Sequence, residues 1–142
     1  MIIKYSKTSD ATTTYQLALG PGWTELCTLD GETYVHVPDG DQIVDPPAEI
    51  AASIEVVTLD DALRNRIITT SDHCLLIDER MRQKIREVYD LETELKYARI
   101  GVGAAMGMYQ PPQEEVSGMM AFGAHVEAVR QWGRDERAKL GL

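Results

Sequence analysis

Six prolines divide this chain into two kinds of sequence. Pro21, Pro38, Pro46 and Pro47 lie in the first third, Pro111 and Pro112 lie late, and none falls from residue 48 to residue 110. Proline fixes φ and lacks an amide donor, so it ends helices and interrupts central strands. A long proline-free run is what packed helices require, whereas the punctuated start suits short strands and turns. The expectation is an α+β protein with a small β-rich domain over 1–57 and a helical domain over 58–142. At 142 residues, the chain has the size of one ordinary domain or of a lobe joined to a larger one.

Within the first part, Trp23 to Leu29 alternates in polarity and stops at Asp30-Gly31. Glu32 to Val37 follows and stops at Pro38-Asp39-Gly40. An Asp-Gly pair between two alternating segments predicts a hairpin, because both turn positions take φ > 0. Ile2 to Tyr5 and Thr14 to Leu19 are further strand candidates, and Ile50 to Val57 reads as a short strand or helical turn. Together they make an antiparallel sheet of three or four strands, which needs helical support to stand in water.

In the second part, Thr58-Leu59-Asp60-Asp61 reads as a helix start, the Thr58 hydroxyl taking an orphan amide and the acids facing the positive end. That helix runs to about Ile68, and Thr69-Thr70-Ser71-Asp72 breaks and re-caps the chain. Ile77, Met81, Ile85 and Val88 form one apolar face of a second helix. Asp90 caps a third, with the stripe Leu91, Leu95, Ala98, Val102, Ala105 and Tyr109, ended by Gln110-Pro111-Pro112. Pro112 with Gln113-Glu114-Glu115 opens the last helix, where Val116, Met119, Gly123, Val126 and Val129 line one face beside Phe122. The result is three or four helices.

Charge and composition remove several functions. The net charge is −9, from 14 basic and 23 acidic residues. The densest basic stretch, Arg80 to Arg86, is interleaved with Asp78, Glu79 and Glu87, so no phosphate-binding stripe forms and nucleic acid is not an expected partner. No run of about 18 apolar residues suggests a membrane span. The start of the chain has no apolar core of the length a signal peptide needs. The expected location is therefore a cytosol. Two cysteines, Cys27 and Cys74, make neither a disulfide framework nor a four-ligand zinc site.

Catalytic patterns are missing too. His73 and Cys74 are neighbours, and adjacent helical side chains diverge by about 100°, so they cannot serve each other. Asp39-Gly40-Asp41 with Asp45 lacks the remaining oxygens of a calcium loop and reads as a polar turn. His36 and His125 have no fixed spacing to other ligands. The chain has no nucleophile elbow, no P-loop and no His-Glu-x-x-His. The expectations are no enzyme activity, no cofactor and no metal, with an enzyme using His73, Cys74 or His125 as a rival reading.

Gly101-Val102-Gly103-Ala104-Ala105-Met106-Gly107 invites comparison with a dinucleotide loop, but helix precedes it where such a loop needs a strand. It reads instead as a small-residue helix face on which another helix packs closely. Met106, Met108, Met119 and Met120 crowd the junction of the last two helices, and methionine-rich surfaces adapt to partners.

The segment Glu114 to Arg130 resembles the C-terminal signature of tailed-bacteriophage tail and tail-fibre assembly proteins. Its acidic opening is followed by Phe122 at the aromatic position, His125 as the second ring and Val129-Arg130 as the closing aliphatic–arginine pair. The resemblance covers about the last 30 residues. Members of that family often end with a proline soon after the arginine, whereas Gln131-Trp132-Gly133-Arg134 continues this helix. The resemblance implies a non-catalytic protein of tail fibre or baseplate, structural or assisting assembly, located in the virion tail or in host cytoplasm during assembly. Other tail proteins are then the partners, with self-association as a second mode. The expected partner-binding residues are Phe122, His125, Val126, Val129, Arg130 and Trp132, with Gly103 and Gly107 beneath them. The alternative reading is a small acidic cytosolic regulator, antitoxin-like or a repressor antagonist.

Overall fold

In the computed structural model, which describes residues 1–142, Asp30 and Gly31 turn the chain with φ of 53° and 83°. Both lie in the left-handed region that a two-residue hairpin turn demands. The strands are β1 (Ile2–Ser6), β2 (Thr8–Ser9), β3 (Thr14–Tyr15), β4 (Thr24–Leu29), β5 (Glu32–His36) and β6 (Glu55–Val57). Four of them form an antiparallel sheet in the order β4-β5-β1-β6, and β2 with β3 makes a separate two-stranded ribbon. The helices are α1 (Ala48–Ala51), α2 (Asp61–Thr70), α3 (Asp72–Arg86), α4 (Leu91–Ala105) and α5 (Gln113–Ala138). The protein is α+β. Both readings of Ile50 to Val57 hold, since α1 is followed at once by β6.

The expected boundary at residue 58 marks where strand gives way to helix. The chain divides into compact units elsewhere, one of Met1–Leu76 with Arg137–Leu142 and one of Ile77–Glu136. The first, the sheet unit, keeps α2 because the sheet needs it. Side chains alternate across a strand, so β1 sends Ile3 and Tyr5 to one face and Ile2 to the other. Ile3, Tyr5, Leu17, Val35, Val37 and Ile50 form the first core cluster, with Trp23, Ile43 and Ile54 packed on it. Ile2, Leu26, Tyr34 and Ile67 form the second, with Leu59 and Leu63 from around α2 and Leu140 and Leu142 from the end of the chain. Each face of the sheet is thus covered from within the unit.

Two details differ from the sequence expectation. The Thr14 to Leu19 strand is only Thr14–Tyr15, yet Leu17 is buried. Helix α2 is capped by the Asp60 carboxylate, which accepts from the Leu63 amide at 2.7 Å, and not by the Thr58 hydroxyl. Leu59, between Thr58 and Asp60, packs against the second cluster.

The helical unit contains most of α3, all of α4 and most of α5. Asp90 caps α4 as expected, accepting from the Thr93 amide at 2.7 Å. Helix α4 ends at Ala105, before the prolines, because Gly107 takes φ of 69°. The Met108 amide bonds the Gly103 carbonyl at 2.9 Å and the Gly107 amide bonds the Ala104 carbonyl at 3.1 Å, the paired bonds of a Schellman cap. No helix of the chain is long and apolar enough to cross a membrane.

Candidate functional site

Tyr89, Tyr97 and Phe122 of the helical unit meet in one place with His125. Tyr89 stands edge-on to Phe122, with centroids 5.1 Å apart, and to Tyr97, at 6.3 Å. Tyr97 stacks on Phe122 at 5.6 Å, and His125 tilts against Tyr89 at 5.6 Å. Offset and edge-to-face pairs add specific geometry to simple burial. His125 Nε2 lies 3.1 Å from the Lys84 carbonyl oxygen, so in this pairing Nε2 carries the proton and donates. The Lys84 ammonium sits 4.8 Å above the Trp132 ring, a cation–π contact.

This geometry places the residues of the expected docking face. Phe122 is half-buried between the Tyr89 and Tyr97 rings, Val126 is half-buried, and Val129 is 5% exposed. These side chains are occupied by their own unit. Arg130 is exposed near Glu127. The two glycines expected beneath them are elsewhere too. Gly107 is the left-handed cap with nothing near the position a Cβ would take, and Gly103 faces Tyr109. Of the expected set, His125, Val129 and Trp132 line one shallow groove of about 270 Å³ with Lys84, Glu87 and Val88.

The close-packing glycines are others. A Cβ on Gly101 would touch the Met119 sulfur at 3.4 Å, one on Gly118 would collide with the Tyr97 hydroxyl, and one on Gly133 would collide with Met81. Gly118 and Gly133 went unnoticed in the sequence. Their signal was the roughly 1 kcal/mol each that a mid-helix glycine costs relative to alanine, which implies a neighbour too near for a side chain. Gly123 sits in the middle of α5 with no such neighbour.

The uncovered apolar surface of the unit lies on α4 and its C-terminal loop. Helix α4 has no buried residue. Leu91, Leu95, Ala98, Val102 and Ala105, the stripe that periodicity would bury, are all exposed. Tyr97, Ile100, Gly101 and Ala104 are the half-covered side of the helix instead. Val88, Met106, Met108, Tyr109 and Met120 extend the exposed apolar surface, with Met108 78% exposed. The Tyr109 hydroxyl donates to Glu115 at 2.7 Å, which ties the loop to the start of α5 and raises the Tyr109 pKa.

The two cysteines and the remaining histidines, His36 and His73, lie in the sheet unit. His73 is exposed while Cys74 beside it is buried. Cys27 lines a cleft with His73, Asp72 and Glu25, but burial pushes its thiol pKa up, away from the thiolate a nucleophile needs. Burial also lowers the His36 pKa. In the acidic turn, Asp39 accepts from the Met1 amine and Asp41 accepts from the Trp23 indole N–H at 2.8 Å, so these carboxylates point to different partners. No group of three or more His, Cys, Asp and Glu side chains is placed to hold a metal ion. No family model, curated protein or solved structure matches the chain.

Proposed function

We propose that this chain is a non-catalytic tail-associated phage protein, a tail-fibre or baseplate component or an assembly factor, acting through protein contacts of its helical unit. The observation that carries the reading is the exposed apolar surface of α4 and its loop, from Leu91 to Met108. Contiguous apolar surface on a soluble domain marks a contact site, and the methionines suit one that adapts to its partner. The Glu114 to Arg130 signature supplies the tail context. Its rings build the support beneath the contact surface, and α4 presents the surface itself.

Co-expression with the tail-fibre and baseplate proteins encoded beside its gene tests the reading. A tail protein that co-purifies with the wild type and is lost from Leu95→Glu or Met108→Glu supports it. Neighbouring genes unrelated to tails, or tail proteins that never co-purify, would reject it. The net charge of −9 favours the acidic-regulator reading as the second. That reading requires a basic partner whose binding collapses with added salt, whereas an apolar contact tolerates salt.

A further inference from the structure

We propose that the α4 stripe is a self-complementary seam by which two copies of this chain pair, their α4 helices side by side and antiparallel. The inference rests on the reading of α4 as a contact surface and names one occupant for it. The spacing carries the first part of the argument. Leu91, Leu95, Ala98, Val102 and Ala105 recur at steps of four, three, four and three residues. That is the 3.5-residue repeat of a two-helix seam, narrower than the stripe of a helix buried in its own domain. All five residues are exposed, although four of them lie in the middle or second half of a helix bound on its other side to its own unit.

Antiparallel pairing fills this seam in register. Leu91 of one copy meets Val102 of the other, Leu95 meets Ala98, and the same layers repeat in reverse about the two-fold axis. Ala105 then meets Val88, which is 61% exposed just before α4. Each layer opposes a large side chain to a smaller one, which lets the helices approach closely while the gaps fill.

Charge fixes the choice of a second copy over any other apolar helix. Glu92 and Arg99 flank the seam on one side, each directly after a seam residue. Neither forms an ion pair within its own chain. In the antiparallel register Glu92 of each copy lies within one helical turn of Arg99 of the other, so two intermolecular pairs form by symmetry. A parallel arrangement would turn Glu92 and Arg99 of the two copies to opposite flanks of the pair, where neither ion pair can form. With both flanking residues, the face is on the order of 500 to 600 Å² per partner, at the small end of specific interfaces. The pairing is therefore reversible and depends on concentration.

Sedimentation of the full chain across a concentration series, beside charge variants, tests this. Wild type is expected to pass from monomer to dimer below ~100 µM, and Leu95→Glu to stay monomeric. Arg99→Glu alone is expected to raise the dissociation constant by about tenfold or more. Glu92→Arg with Arg99→Glu exchanges the charges and is expected to return it to within a few-fold of wild type. That rescue requires a folded chain, so it separates lost pairing from lost structure. Wild type that stays monomeric, a dimer indifferent to Leu95→Glu, or an exchange variant no better than Arg99→Glu would each overturn the inference. A monomeric wild type whose co-purified tail protein is still lost with Leu95→Glu overturns the self-pairing and leaves the docking reading standing.

Discussion

The sheet unit and the helical unit use apolar residues in opposite ways. Of the 13 buried hydrophobic residues, all but Ile77 and Val129 belong to the sheet unit. The sheet unit covers both faces of its sheet with loops, α1, α2 and the last residues of the chain. The helical unit closes one aromatic cluster and leaves α4 without a buried residue. Burial contributes roughly 25 cal/mol per Å² of apolar surface, so the sheet unit draws its stability from within. The helical unit instead leaves the apolar residues of α4 exposed.

The largest effect that sharpens this contrast is truncation in the two units. Ile3→Ala, at a fully buried position, is expected to cost about 2–5 kcal/mol in chemical denaturation. Leu95→Ala, removing a similar side chain from exposed α4, is expected to cost below about 0.5 kcal/mol at monomer concentrations. Equal costs would mean that α4 is part of a core after all.

Next in size is a glycine contrast within α5. Gly118→Ala is expected to destabilise by about 1–3 kcal/mol, because the Tyr97 hydroxyl occupies the new methyl's place and its ring is held by Tyr89 and Phe122. Gly133→Ala is expected to cost less, since flexible Met81 can swing aside. Gly123→Ala has open space and is expected to stabilise by up to about 1 kcal/mol through helix propensity. Thermal melts of the three variants check the order, and a destabilising Gly123→Ala would break it.

The smallest effect is a pH dependence confined to the sheet unit. Burial lowers the His36 pKa from its ordinary 6.5, so on acidification the unfolded chain takes up the proton before the folded one does. The His36 contribution is therefore complete above pH 6.5 and declines as pH falls below it. Amide exchange in β1 and β5 is expected to quicken, beyond its intrinsic pH trend, as pH falls from about 7 to 5 in wild type and to stay level in His36→Gln. An identical response in the variant would assign the change to another group.

What the sequence made legible was local. Asp30-Gly31 dictates its turn by the conformations those two residues accept, and Asp90 caps α4 because its carboxylate has only the next turn to reach. Thr58 was the expected cap of α2, but Asp60 takes that role, and Leu59 between them makes a core contact that no local pattern records. Periodicity drew apolar faces on both α4 and α5 but said nothing of what covers each. The resemblance of Glu114 to Arg130 placed the partner face on α5, with Gly103 and Gly107 beneath it. The packing is nearer the reverse, because Gly118 and Gly101 let α4 and α5 meet through Tyr97 and Met119 and so turn the leucines of α4 outward. Leu17 is buried without belonging to any strand, and alternation could find it only as part of one.

Hydrogen exchange of α4 at rising protein concentration tests the central claim most directly. A contact face should gain protection from Leu91 to Ala105 as the chains associate, while β1 and β5 exchange at rates that concentration does not change. Exchange in α4 that is equally indifferent to concentration, and to any co-purified tail protein, would contradict the account.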